Sequence, residues 1–165
     1  MFQLISLIVI AVLTAADQFV KYIVTDYIES HGPKEFLFGL FRLTYVENTG
    51  AAFSSFSNST VVLSVVTSVI IVACIIYLLL KRSKSIFVNI SLILIISGGA
   101  GNMIDRITNG FVVDFIEPLF INFAVFNVAD CFITVGAFML AGYELFSGLK
   151  KSDNSSGKGR GDNNG

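Results

Sequence analysis

Three stretches of the sequence contain no Asp, Glu, Lys or Arg: residues 1–16, 48–80 and 85–104. Apolar runs of that length restrict the fold more than any other feature. An α-helix rises about 1.5 Å per residue, so about 20 apolar residues cross the hydrocarbon core of a bilayer, where backbone polar groups must find partners within the protein. The pattern predicts four transmembrane helices, near Phe2–Tyr22, Ser59–Leu80, Ser85–Ile107 and Phe126–Leu149. Composition agrees: of 165 residues, 54% are hydrophobic and 14% charged, and the mean hydropathy of +0.77 is far from that of a soluble globule. The expected class is a mainly α membrane protein with one integral domain over residues 1–151. Residues 152–165, "SDNSSGKGRGDNNG", hold only small and polar residues and are expected to be disordered.

Several functional classes fall away. A net charge of −1 with no basic stripe excludes nucleic acid as a partner. Cys74 and Cys131 stand far apart in apolar segments without metal-type spacing, and both read as packing residues. His31, the single histidine, sits in "ESHGPKE" with no His or Cys beside it, so neither a metal nor another cofactor is expected. The first span reads as a retained helix, because no Lys or Arg precedes it and the apolar run continues past the small residues of "LTAAD".

Basic residues set the orientation. Lys81, Arg82 and Lys84 follow the second span, and Lys150, Lys151, Lys158 and Arg160 follow the fourth. The positive-inside rule places both clusters, and both termini, in the cytoplasm. Segments 23–58 and 108–125 then lie outside, and Asp17, Asp105, Asp114 and Asp130 gather near the outer face. In "FRLTYVENTGAAF", Phe41, Leu43 and Tyr45 alternate with Arg42 and Thr44, while "FVVDFI" and "FINFAVF" are short aromatic and β-branched runs punctuated by Gly110 and Pro118. These predict a small extracytoplasmic antiparallel sheet, a cradle on the outer end of the bundle with aromatic residues at the bilayer interface. A short helix is expected within Val24–Ser30, and "GPKEFLFGLF" reads as a lid bending at Gly32 and Gly39.

Ionisable groups at membrane depth are costly and mark function by default. Asn102, Asp105 and Arg106 are spaced i, i+3, i+4 and share a helix face, and Asn127 and Asp130 repeat the i, i+3 spacing. Two carboxylates brought close together tend to share one proton, and such a pair can activate water against a peptide bond without metal or nucleophile. Each group also has a structural reading. Asp105 and Arg106 could form an ion pair fixing the helix end, Asp130 and Asn127 could cap the fourth span, and Asp17 could neutralise Lys21 four residues on. Residue chemistry alone leaves both readings open. A serine elbow is missing, and so is the "GxGD" pattern of other membrane aspartyl proteases. The alternative of a small proton- or ion-coupled carrier predicts ionisable groups at several depths, whereas here they gather at one face apart from Glu144.

"DQFVK" (Asp17–Lys21), "ENTGAAF" (Glu47–Phe53), "GNMIDR" (Gly101–Arg106), "VVDF" (Val112–Phe115) and "FNVAD" (Phe126–Asp130) resemble, in order and spacing, the motifs of the lipoprotein signal peptidases, or signal peptidase II. That resemblance covers nearly the whole chain apart from the polar tail. It implies a bacterial membrane aspartic endopeptidase of the cytoplasmic (inner) membrane, with Asp114 and Asp130 catalytic. It also implies Asp17, Asn48, Gly50, Asn102, Asp105, Arg106 and Asn127 as substrate-binding or site-supporting residues. The implied substrate is a diacylglyceryl-modified prolipoprotein cut on the amino side of its lipidated cysteine, with membrane lipid around it, and the implied acting unit is a monomer. Phe53, Phe56, Val112 and Phe115 are expected to line the cleft. Glu47 departs from the family pattern, in which a basic residue often precedes the asparagine.

Overall fold

The computed structural model describes residues 2–50, 60–80 and 83–158, with backbone only at residues 60 and 148–158. Four helices form, the first three on the charge-free runs: α1 Phe2–His31, α2 Thr60–Leu79, α3 Ile86–Thr108 and α4 Val128–Lys158. Each has a window long and apolar enough to cross a membrane. α1 runs without a break through the region where a separate short helix was expected. No Gly or Pro stands between Tyr22 and Ser30, and the stop comes at Gly32, whose φ of +77° suits a residue without Cβ, followed by Pro33. At the other end of the chain, α4 continues past its apolar stretch into the polar tail as far as Lys158.

Helix α3 stands at the centre. It packs against α1, α2 and α4, while α2 and α4 each pack chiefly on α3. Of its apolar window 56% is buried inside the protein, against 6% for α2 and 11% for α1 and α4. Its buried side is lined by small residues, Ser91, Ser97, Gly98, Gly99 and Gly101, as expected where helices associate in lipid by close approach rather than by a hydrophobic effect. A Cβ at Gly98 would run into the backbone oxygen of Ala129, and one at Gly101 into the carboxylate of Asp17. The absent side chains thus let α4 and α1 come within backbone distance of α3.

Interior chemistry divides along the bundle. Toward the "KRSK" end, Leu78, Val88, Leu92 and Ile96 form an apolar cluster joined by Ile71, Cys74, Ile75 and Tyr143. Toward the other end polar and charged residues are buried, Asp17, Lys21, Asn102, Asp105, Asp114 and Asn127, beside Val112, Val113, Phe115 and Ala129. Outward-facing side chains such as Leu4, Val12, Val61 and Phe138 are apolar and exposed, the expected arrangement where the solvent is lipid.

A three-stranded antiparallel sheet, ordered β1-β2-β3, sits at the polar end: β1 Lys34–Phe36, β2 Phe41–Asn48 and β3 Val112–Pro118. The segment expected to be a bending lid is largely the β1–β2 hairpin, with Lys34 opposite Leu43 and Phe36 opposite Phe41. Its turn holds Leu37, Phe38 and Gly39 at positive φ. β2 pairs with β3 from Phe41 opposite Pro118 to Asn48 opposite Val112, with an irregularity between Leu43 and Val46. Arg42 grips Glu117 bidentately across this pair, at 2.8 and 2.9 Å. "FINFAVF" does not form a fourth strand. Pro118 has no N–H to extend the ladder, Leu119 donates instead to the Leu40 carbonyl, and only Phe126 returns to bridge Ile116.

Candidate active site

Strand β3 carries Asp114 beneath the sheet, where it is 2% exposed. The β2–β3 register puts Asn48 opposite Val112, two residues from Asp114 on the same face. Asn48 Nδ2 reaches Asp114 Oδ2 at 2.8 Å. The Gly50 N–H donates to Asn48 Oδ1 at 3.0 Å, which fixes the amide with its nitrogen toward the carboxylate. The other oxygen, Asp114 Oδ1, accepts from Asn127 Nδ2 at 2.7 Å.

Asp130 stands in the first turn of α4. Its backbone N–H donates to Asn127 Oδ1 at 2.9 Å, while its own Oδ2 accepts the Asn127 N–H at 3.2 Å. This reciprocal pair is a capping box, with Asp in the place of the usual Glu. The capping role expected of Asp130 and Asn127 is therefore present, and it coexists with exposure to the cavity. Asp130 Oδ1 accepts from Asn102 Nδ2 at 2.8 Å. Asn127 thus touches both aspartates, one through its side chain and one through its backbone.

Beneath this pair lies a buried ionic core. Lys21 Nζ meets Asp17 Oδ2 at 2.9 Å, Asp105 Oδ2 at 2.8 Å and Asn102 Oδ1 at 3.1 Å, which uses all three of its protons. Asp17, wholly buried, also accepts the Ala129 N–H on Oδ1 at 2.9 Å. It therefore secures another amide of the α4 start. Asp105 accepts the Val113 N–H at 3.1 Å and Gln18 Nε2 at 2.8 Å. Burying charge is tolerable only when it is paired and hydrogen-bonded in this way.

The arrangement corrects several expectations. Asp105 pairs with Lys21, not with Arg106, because the helix turns the two side chains apart. Arg106 instead lines the cavity that holds Asp114 and Asp130. Val112 and Phe115 are core residues, 2% and 3% exposed, and do not line that cavity; Phe53 and Phe56 lie outside the described residues. Cys131 is exposed and faces the cavity rather than packing, whereas Cys74 packs with the apolar cluster. Gln18 and the link from Lys21 to Asn102 were missed. The signal for both lay in the "DQFVK" motif, in which the resemblance implies a site role for Asp17 alone.

The cavity has a volume of about 480 Å³. Asn48, Gly50, Arg106 and the two aspartates give it a polar floor, while Phe123, Val125 and Phe126 form an apolar wall. Leu63 of α2 and Val135 of α4 flank it. Burial pushes the Asp114 carboxyl up to about 6; the nearby Asp130 charge adds to the rise, and the Asn48 and Asn127 donors oppose it. A carboxyl so placed titrates near neutrality beside a second one in a half-apolar cleft, which is the arrangement that acid–base hydrolysis requires.

Comparison with known proteins identifies the family. A family model described as "Signal peptidase (SPase) II" matches residues 9–146. The chain is 44% identical over 133 residues to a lipoprotein signal peptidase of Streptococcus thermophilus (strain CNRZ 1066), covering 81% of this chain and 87% of that one. It is 41% identical over 143 residues to that of Caldanaerobacter subterraneus subsp. tengcongensis, covering 87% and 97%. A solved bacterial membrane enzyme superposes with a TM-score of 0.77 at 27% identity, over 90% of each chain.

Proposed function

The chain belongs to the signal peptidase II family, multi-pass bacterial membrane peptidases that process prolipoprotein signal peptides, and on that premise we propose that it works as an aspartic endopeptidase through Asp114 and Asp130. The observation that carries this reading is the attachment of both carboxylates to Asn127, facing one cavity. One carboxylate, ionised, takes a proton from water as the water oxygen bonds to the scissile carbonyl carbon. The other, protonated, gives its proton to the carbonyl oxygen. When the resulting diol collapses, the C–N bond breaks and the amine nitrogen takes up a proton from the pair.

The substrate in this reading is a diacylglyceryl-modified prolipoprotein, cut on the amino side of the lipidated cysteine. The flanks of the cavity support it. α2 and α4 each pack chiefly on α3, and between them a signal helix and its lipid tails reach the aspartates sideways from the bilayer. Phe123, Val125 and Val135 offer apolar surface to acyl chains. Both termini lie in the cytoplasm and the sheet end lies outside, as the basic clusters require. One chain supplies every group named, so the acting unit is the monomer.

The carrier alternative lacks support. Among the described residues the buried ionisable side chains, Asp17, Lys21, Asp105 and Asp114, collect at one end, and the other half of the bundle is closed by Leu78, Val88, Leu92 and Ile96. The test uses Asp114→Asn and Asp130→Asn in purified, inserted protein with a lipidated precursor peptide. Each variant is expected to lose cleavage by at least about a thousandfold, as when one member of an acid–base pair is removed. Near-normal cleavage by either variant would remove that residue from the mechanism.

A further inference from the structure

Four donors hold the two aspartates, and they are not equivalent. Both oxygens of Asp130 face donors that cannot be turned round. One is the main-chain N–H of Asn127. The other is Asn102 Nδ2, and this amide is locked because its Oδ1 lies 3.1 Å from the Lys21 ammonium, which would meet N–H against N–H if the amide flipped. Asp130 also lies in the first turn of α4, where free amide groups favour negative charge. Asp114 lacks the helix position. It sits on a strand, and its two donors are side-chain amides, each oriented by a backbone N–H on its Oδ1, Gly50 on Asn48 and Asp130 on Asn127. The Asn127 NH2 that serves it is also within reach of Asn102 Oδ1 at 3.1 Å and the Val113 carbonyl at 3.3 Å, so two hydrogens are divided among three acceptors.

We propose, building on the aspartic reading, that Lys21 and Asn102 are positioning residues that make the pair unequal: they hold Asp130 ionised, and the shared proton of the free enzyme resides on Asp114. The surrounding charges are consistent with this. α1 presents Lys21 and Asp17, with Lys21 bonded to Asn102; α3 presents Asp105, turned to Lys21, and Arg106, which lines the cavity beside both aspartates. β2 and α2 contribute only the uncharged Asn48 and Leu63.

The roles in hydrolysis follow. Asp130 takes a proton from water while the water oxygen bonds to the carbonyl carbon, and Asp114 gives its proton to the carbonyl oxygen. In the collapse, a diol hydroxyl returns a proton to Asp114 as the carbonyl re-forms. Asp130 hands its proton to the departing nitrogen, and both groups regain their starting states.

Isotope-edited infrared difference spectroscopy of the protein in lipid reads the protonated carboxyl directly. Near pH 6, the Asp114→Asn protein is expected to lose the protonated-carboxyl band of the pair, and Asp130→Asn to keep one that titrates at lower pH, its negative neighbour being gone. The positioning role is read in the double variant Asn102→Leu with Asp114→Asn. With its locked donor removed, Asp130 should now show a protonated band where Asp114→Asn alone shows none. Asn102→Ala serves if the leucine variant does not fold. A merely structural Asn102 would lower the yield of folded protein without moving the proton. A band that survives Asp114→Asn and vanishes in Asp130→Asn would overturn the assignment, and an unchanged spectrum in the double variant would overturn the role of Asn102. Retained cleavage by Asp114→Asn would sink the aspartic reading itself, and activity rather than the spectrum reports that outcome.

Discussion

Replacing Asp114 by Asn separates stability from activity in a way that depends on pH. In the folded protein the Asp114 carboxyl titrates near 6, compared with 3.8 for the free group. Between those values the native state holds a proton that the unfolded chain has released, so stability falls as pH rises through the window and is flat above it. The shift is about 2 pK units, and at about 1.4 kcal/mol per unit the ionised group costs the fold about 3 kcal/mol at pH 8. Asn carries no charge and escapes that cost. It pays a constant one, because an amide in place of Asp114 must turn its NH2 toward Asn48 Nδ2 or Asn127 Nδ2, losing about 1–2 kcal/mol of hydrogen bonding at every pH. The variant should therefore be the more stable protein at pH 8 and the less stable one at pH 4, with a swing of about 3 kcal/mol, or about 6–12 °C in Tm for a chain of this size. The chain lacks tryptophan, so unfolding is best followed by the far-ultraviolet circular dichroism of its helices, a signal that can be read at every pH in the range. Parallel stability curves for the two proteins from pH 4 to pH 8 would refute the reasoning.

Three further outcomes are expected. Lys21→Met leaves Asp17 and Asp105 without their buried counter-charge and should cost about 3–5 kcal/mol. Adding Asp17→Asn and Asp105→Asn should restore folded protein on size-exclusion chromatography. Gly101→Ala drives a methyl group into the Asp17 carboxylate, and thermal unfolding should show a loss above about 2 kcal/mol, whereas Gly142→Ala, with nothing nearby, should be neutral within about 0.5 kcal/mol. Arg42→Lys breaks a bidentate grip that is partly exposed, with side chains 40% and 25% accessible; denaturation should register at most about 1 kcal/mol.

The helices were legible because a bilayer imposes a length and a composition that a run of residues either meets or does not. Their ends were less so. Val24 to Ser30 continues α1 since nothing in the backbone stops it, although polarity there suggested that the membrane had ended. The strand carrying Arg42 announced itself by alternation and that carrying Asp114 by its aromatic and β-branched residues, whereas "FINFAVF" has the same strand-like residues but follows a proline that turns the chain away. Among site residues, the motif positions Asp114, Asp130, Asn102 and Asn127 converge as their order implied. Partner choice was not readable from spacing. Asp105 and Arg106 are adjacent in sequence, yet one points to Lys21 and the other into the cavity, because successive residues on a helix lie about 100° apart.

One bond has a consequence for how such a protein comes into being. The carboxylate of Asp17 in the first span caps the Ala129 amide at the start of the last, across 112 residues of sequence. Asp130 lies one residue further on. The amide that opens α4 is therefore capped only once the first span stands beside the last, so the polar end of the bundle closes late, when the final helix docks.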